Sequence, residues 1–261
     1  MRTPARLGLA GLAVASLFIV ACGSSSSSSS DTTSATKATK ITVCSDMPYK
    51  PFEFDDNGTT TGFDYEVVSA MASTFDASVT FRTTPFDTII PSLAAGDCQM
   101  IASAMTITDE RAQKVNFTDP YFDADQSLLI LEKNAEKYKT LDDLAGKTIG
   151  VQSGTSGADY AEANKPAGAT IKEFQTGDEM FPALISGDID AALQDYPVNA
   201  YRATQDSQFK VTQTFPTGEK YGFATANENT ELLQQLNTAL ATIKANNTYQ
   251  TLYTKWFGTQ S

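Results

Sequence analysis

A short pattern occurs twice in this chain. Pro91-Ser92-Leu93-Ala94-Ala95-Gly96-Asp97 is echoed by Pro182-Ala183-Leu184-Ile185-Ser186-Gly187-Asp188. In each copy an apolar helical stretch stops at a glycine, which accepts the left-handed backbone that ends a helix. An aspartate then leads into an apolar strand. The strand ends correspond too, with Ser103-Ala104 after the first copy and Gln194-Asp195 after the second. An earlier pair of strands places Val43 opposite Val151. Two matched units in the same order constrain the chain to two similar α/β lobes, each alternating strand and helix around a parallel sheet.

The rest of the chain can be laid on that repeat. Residues 41–45 read as a strand, and 46–54 as a loop in which Pro48 and Pro51 forbid regular structure. Asn57-Gly58 signals a hairpin turn joining 53–54 to 62–63. Val67, Val68, Met71, Ala72 and Phe75 form a helical stripe over 64–75. A strand at 78–82, a helix at 86–95 and a strand at 99–103 complete the first series. The second has strands at 147–152, 170–174 and 189–193. Between them come a small-residue turn at 153–157, a helix starting at 158 and another at 180–186.

Two continuous apolar runs, 128–131 and 221–224, are candidate crossing strands between the lobes. Leu232, Leu233, Leu236, Leu240 and Ile243 then keep a helical stripe, and 248–257 is a last amphipathic helix closed by Gly258. The expected fold class is α/β: two Rossmann-like lobes joined by two crossing hinge strands. The expected bounds are 41–127 with 222–261 for lobe one and 128–221 for lobe two.

Before residue 41 the chain is of another kind. Arg2 and Arg6 precede an apolar run over 7–21, too short to span a bilayer comfortably, so 1–21 reads as an export signal. Residues 22–40 are rich in serine and threonine without hydrophobic periodicity, a flexible tether. Ile19-Val20-Ala21-Cys22 resembles the lipobox of bacterial lipoproteins. That resemblance implies cleavage before Cys22 and a diacylglyceryl group on its sulfur.

In an oxidising compartment Cys44 and Cys98 could join. One lies near the end of a strand and the other near the start of the next, so a disulfide and two buried thiols both stay open. The formal charge of −12 argues against nucleic acid as a partner and against charge-driven adhesion to anionic lipid. The chain has no histidine, which excludes histidine-based catalysis and the commonest zinc sites. No metal and no cofactor are expected.

The chemistry gathers past the strand ends, where open α/β sheets hold ligands. Ala102-Ser103-Ala104-Met105-Thr106-Ile107 runs from a strand into Thr108-Asp109-Glu110-Arg111. Thr108 suits a helix N-cap and the two acids suit a first turn, whereas a cation at that end is unexpected. An arginine held beside free backbone N–H groups receives a carboxylate with two bonds. Asp195, past the last strand of the second series, suits an ammonium. Ser153-Gly154-Thr155-Ser156-Gly157 opens a helix whose N–H groups could take the carboxylate from the other lobe. Arginine in one lobe and aspartate in the other describe an α-amino acid held across a cleft.

Several longer strings carry a family resemblance. Asp46-Met47-Pro48-Tyr49-Lys50-Pro51-Phe52-Glu53-Phe54, Gly62-Phe63-Asp64, Thr106 to Arg111 and Phe117-Thr118-Asp119-Pro120-Tyr121 are similar to the polar-amino-acid solute-binding proteins of ABC importers, family 3. The similarity continues through Gly150-Val151-Gln152-Ser153-Gly154-Thr155 to Tyr253-Thr254-Lys255-Trp256-Phe257-Gly258. It implies a type II periplasmic-binding-protein fold that closes by a hinge around its ligand. Arg111 would take the α-carboxylate, helped by backbone at Thr106, Thr155 and Ser156. Asp195 would take the α-ammonium, helped by Ser103 and the adjoining Ala104. Tyr49 and Phe86 would flank the side chain, while Asp46, Gln152 and Gln194 face its far end. The partners would be an amino acid and a membrane ABC permease. The protein would be a monomer held outside the cytoplasm by lipid on Cys22.

Asp46 and the two glutamines favour a cationic ligand such as arginine, lysine or ornithine, with glutamine next. No second cation is placed at the far end, which disfavours aspartate and glutamate. The rival reading is a dehydratase on the same fold. It would need a general acid in the cleft, and the nearest candidate, Glu53, is expected on an outer face. A third reading, a ligand-sensing module, would need a partner protein to signal.

Overall fold

The computed structural model of the protein describes residues 39–259. The export signal, Cys22 and the tether up to residue 38 lie outside the described residues. Thr39 and Lys40, expected in the tether, already pair with Ala77 and Ser78.

The first series begins with β1 (Thr39–Ser45), the hairpin β2 (Phe54–Asp56) and β3 (Thr59–Thr61), and helix α1 (Phe63–Ser73). It continues with β4 (Ala77–Thr83), α2 (Ile89–Ala94), β5 (Met100–Ile101), α3 (Asp109–Ala112), β6 (Asn116–Phe117) and β7 (Phe122–Asp123). Next come β8 (Gln126–Leu131), β9 (Thr148–Gln152), α4 (Ser156–Asn164), β10 (Thr170–Phe174) and α5 (Met180–Ser186). The chain then adds β11 (Ala191–Asp195), α6 (Tyr196–Gln205), β12 (Phe209–Phe215), β13 (Lys220–Tyr221) and β14 (Ala224–Thr225). Helices α7 (Thr230–Ala245) and α8 (Thr248–Phe257) finish it.

Two five-stranded sheets result, in the orders β4-β1-β5-β14-β6 and β10-β9-β11-β8-β12. The orders are equivalent position by position, with β1 and β9 alike and β5 and β11 alike. That is the repeat seen in the sequence. In both sheets three parallel strands are followed by one reversed strand, β14 or β8, and then by an edge strand that pairs antiparallel with it.

The link between the sheets differs from the expected one. The run 128–131 is no crossing segment. It is the end of β8, which sits between β11 and β12 and is buried at every residue. An unbroken apolar run is what a strand covered on both faces looks like, so the signal marked a sheet interior. The crossing ribbon is β7 paired with β13, Phe122 against Tyr221 and Asp123 against Lys220. The second run is divided: Tyr221 belongs to that ribbon, and Ala224 lies in the first sheet between β5 and β6. A lobe boundary after residue 127 would cut β8.

Aromatic rings pack below the ribbon. Phe52 is fully buried, its ring centre 5.1 Å from Phe122 and 5.3 Å from Tyr221. Tyr121 stacks on Phe223 at 4.1 Å. Edge and offset pairs of this kind each add about 0.5–1.5 kcal/mol beyond their buried area. They anchor the loop that carries Tyr49. Gly62 closes the same corner: its φ is +122°, and a Cβ there would lie 2.2 Å from the Phe52 carbonyl oxygen. Cys44 and Cys98 are joined by a disulfide, with Cα atoms 5.7 Å apart. Cys98 sits ahead of β5, and the Gln99 N–H donates to the Thr42 carbonyl beside it. The strand-end mismatch expected from the sequence is absorbed by this turn.

Candidate functional site

The carboxyl ends of β1, β5, β9 and β11 converge on one narrow, closely lined cavity. Its walls are Asp46, Tyr49, Phe86, Ser103, Ala104, Thr106, Arg111, Gln152, Thr155, Ser156 and Asp195. Of the residues expected there, Gln194 alone is absent from the wall. It stands just behind, where its Nε2 donates to Asn199 and its Oε1 is buried without a partner.

Arg111 enters from α3. Thr108 caps this helix, its hydroxyl accepting from the Arg111 N–H. The helix is a single turn, so Arg111 lies as much in its last turn as in its first, and the helix dipole does not oppose the cation. One guanidinium nitrogen donates to the Thr106 carbonyl at 2.8 Å, and the other to the Gly154 carbonyl in the second lobe at 3.0 Å. The plane rests on Phe86, 5.1 Å from the ring centre. Burial lowers the Arg111 pKa, and the charge of Asp195 works against that shift. Among the described residues the guanidinium has only carbonyl partners, so its positive charge is not neutralised by contact.

Asp195 answers from the end of β11. Its Oδ2 accepts from the hydroxyls of Tyr49 at 2.7 Å and Tyr221 at 2.6 Å, and its Oδ1 from the Gln126 amide at 2.6 Å. Burial raises its pKa, while the bonds from Tyr221 and Tyr49 pull it back down. Three neutral donors thus hold a buried carboxylate that no cation touches among the described residues, an acceptor suited to an ammonium group.

The floor between them is Ser103-Ala104. The Ser103 hydroxyl accepts from the Asp46 N–H and donates to Glu53 Oε1. Ala104 has φ +42°, and its N–H donates to Asp64, whose carboxylate also takes the Tyr121 hydroxyl. Glu53 therefore does not lie on an outer face; it is fully buried beneath the floor. The alternation of β2 suggested an outward side chain, but Glu53 precedes that strand and its side chain turns inward to Ser103. Burial, and then the charge of Asp64, push its pKa well up.

At the far end Gln152 donates to Asp46. Burial raises the Asp46 pKa to about 6, against the Gln152 bond and with the charge of Asp87 adding to the rise. A Cβ at Gly177 would meet the side-chain oxygens of Gln194 at 3.0 Å and Gln152 at 3.4 Å. Two amide oxygens and a carboxylate therefore make this end rich in acceptors. Thr155 caps α4, its hydroxyl accepting from the Ala158 N–H, so the helix N-terminus opens onto the cavity beside Ser156.

The sequence profile of the bacterial extracellular solute-binding proteins, family 3, matches residues 41–259. The chain belongs to this family. As a family 3 solute-binding protein it is 35% identical over 223 residues to the putative ABC transporter arginine-binding protein 2 of Escherichia coli (strain K12), covering 83% of this chain and 90% of that one. It is 32% identical over 229 residues to the histidine-binding periplasmic protein of the same strain, covering 83% and 87%. Its fold matches an ancestral arginine-binding protein bound to arginine with a TM-score of 0.78 at 36% identity, covering 84% of this chain and 98% of that one. These relatives are named for binding, not for catalysis.

Three residues around the cavity escaped the sequence reading: Gln126, Tyr221 and Glu219. Gln126 and Tyr221 hold Asp195, and Glu219 meets Thr106, Ser156 and Gln126. They lie on the hinge and the strands beside it, where composition alone marks nothing. Placing Glu219 directly before the true crossing strand would have been the one available signal.

Proposed function

We propose that this solute-binding protein closes around a cationic L-amino acid, with arginine, lysine and ornithine the candidates, and delivers it to an ABC permease. The observation that carries this reading is the pair Arg111 and Asp195. They come from opposite lobes, line one cavity and, among the described residues, contact no group of opposite charge. Arg111 takes the α-carboxylate together with the N–H groups at the start of α4, and Asp195 takes the α-ammonium. Tyr49 and Phe86 flank the side chain. Asp46 and Gln152 receive its terminal N–H groups, with Gln194 behind them. The names of the arginine- and histidine-binding relatives support the same class. Lipid on Cys22 would keep the protein at the membrane, since two or three acyl chains anchor stably where one does not.

Glutamine is the second reading, favoured by the amide of Gln152 at the far end. Calorimetric titration of the purified protein with single amino acids separates the two. Arginine, lysine or ornithine should bind more tightly than glutamine. Tightest binding of glutamate would overturn the assignment of Asp46.

A further inference from the structure

We infer that Glu219 is a positioning residue for capture, a clasp at the hinge that ties the two halves of the head-group site together; this rests on the receptor reading above. Its Oε2 accepts from the Ser156 hydroxyl at 2.7 Å, the Thr106 hydroxyl at 3.1 Å and the Gln126 amide at 3.1 Å. Thr106 leads from the first sheet toward Arg111. Ser156 is the first residue of α4 in the second lobe, and Gln126 begins β8 there.

One oxygen thus joins groups from both sides of the cleft. The Ser156 and Thr106 hydroxyls are themselves 3.1 Å apart. A rotation that parts Thr106 from Ser156 must therefore break at least one bond to Glu219. The backbone holds Glu219 at the pivot, because its carbonyl accepts from the Ala124 N–H and the next residue, Lys220, pairs with Asp123 in the ribbon.

The clasp also acts on the ammonium acceptor. The Gln126 amide nitrogen stands between two carboxylates, donating to Asp195 at 2.6 Å and to Glu219 at 3.1 Å. That double demand fixes which end of the amide faces the two carboxylates. Without Glu219 the Gln126 amide keeps Asp195 as its acceptor but loses its second anchor, which loosens the hold on that carboxylate. Glu219 also places a second negative charge on the Asp195 side of the cavity, within the field of Arg111.

The test compares Glu219→Ala, Glu219→Gln and the unaltered full-length protein. One arm is small-angle scattering without added amino acid; the other is the affinity and dissociation rate of L-arginine. Losing charge-assisted bonds of this kind predicts roughly tenfold weaker arginine binding for E219A, expressed mainly as faster release, with E219Q in between. E219A should also scatter as a more open molecule. Wild-type affinity within twofold and an unchanged scattering profile in E219A would overturn the clasp. If the unaltered protein bound no amino acid, the receptor reading would fall, and the scattering arm would still decide the role of Glu219.

Discussion

Tyr49 and Asp195 lie 146 positions apart, yet the phenol of one donates to the carboxylate of the other at 2.7 Å across the cleft. The contact joins a loop of the first lobe to the last parallel strand of the second. Tyr49→Phe keeps the ring in the cavity wall and removes only this bond. Asp195 then keeps its donors Tyr221 and Gln126, and its carboxyl rises further because a bond that lowers its pKa is gone. Arginine binding should weaken by about tenfold at neutral pH, the worth of one hydrogen bond to a charged group at the lower end of its range. The loss should grow as the pH falls. Titration calorimetry at two pH values checks both statements.

Arg111 gives a sharper test, because it grips with a planar fork. Arg111→Lys keeps the charge but cannot serve Thr106, Gly154 and a carboxylate together. The expected loss of affinity is roughly 10- to 100-fold, with little change in melting temperature of the free protein. Equal affinity for arginine and for its decarboxylated analogue in the unaltered protein would remove the carboxylate from the role given to Arg111.

The cavity wall was legible from residue type at strand ends. The repeat placed the ends of β1, β5, β9 and β11, and the charges there are few enough to assign. The hinge was misread because burial on both faces and passage between lobes leave the same mark, an unbroken apolar run. Residues 128–131 bear it as a central strand, while the true ribbon contains Asp123 and Lys220 and so looks polar. Glu53 was misplaced for a related reason. A carboxyl flanked by two phenylalanines suggests alternation about a surface, but the packing of Phe52 under the ribbon turns the following side chain inward. Gln126 and Glu219 had no signature, since their roles exist only once the lobes meet.

The disulfide closes a loop with a sequence separation of 54 between Cys44 and Cys98. A chain-entropy account assigns a loop of that length about 4 kcal/mol. The Cys44→Ala/Cys98→Ala variant should melt roughly 8–15 °C lower than the oxidised protein. Both cysteines are buried in a small cluster of their own, and neither lines the cavity. Arginine affinity measured well below the melting temperature should therefore change little. Calorimetric melting with and without reductant gives the same comparison on the unaltered chain.

Acidity should act on stability and on binding in opposite senses. Burial raises Asp46 to about 6 and Asp64 to about 7, above the values these groups have in an unfolded chain. Between the unfolded and folded pKa the native state holds more protons, so stability is greatest at the acid side and declines as the pH rises through about 7. The melting temperature without amino acid should fall from pH 5 to pH 8, and Asp64→Asn should flatten that slope if it folds. A cationic side chain against Asp46 reverses the preference, because it stabilises the carboxylate. Affinity for arginine should then hold above about pH 6 and weaken below it, by at most tenfold per pH unit for one proton. Asp46→Asn should bind more weakly and lose that acid limb. An unchanged pH profile in the variant would mean that the ligand's positive end lies elsewhere in the cavity.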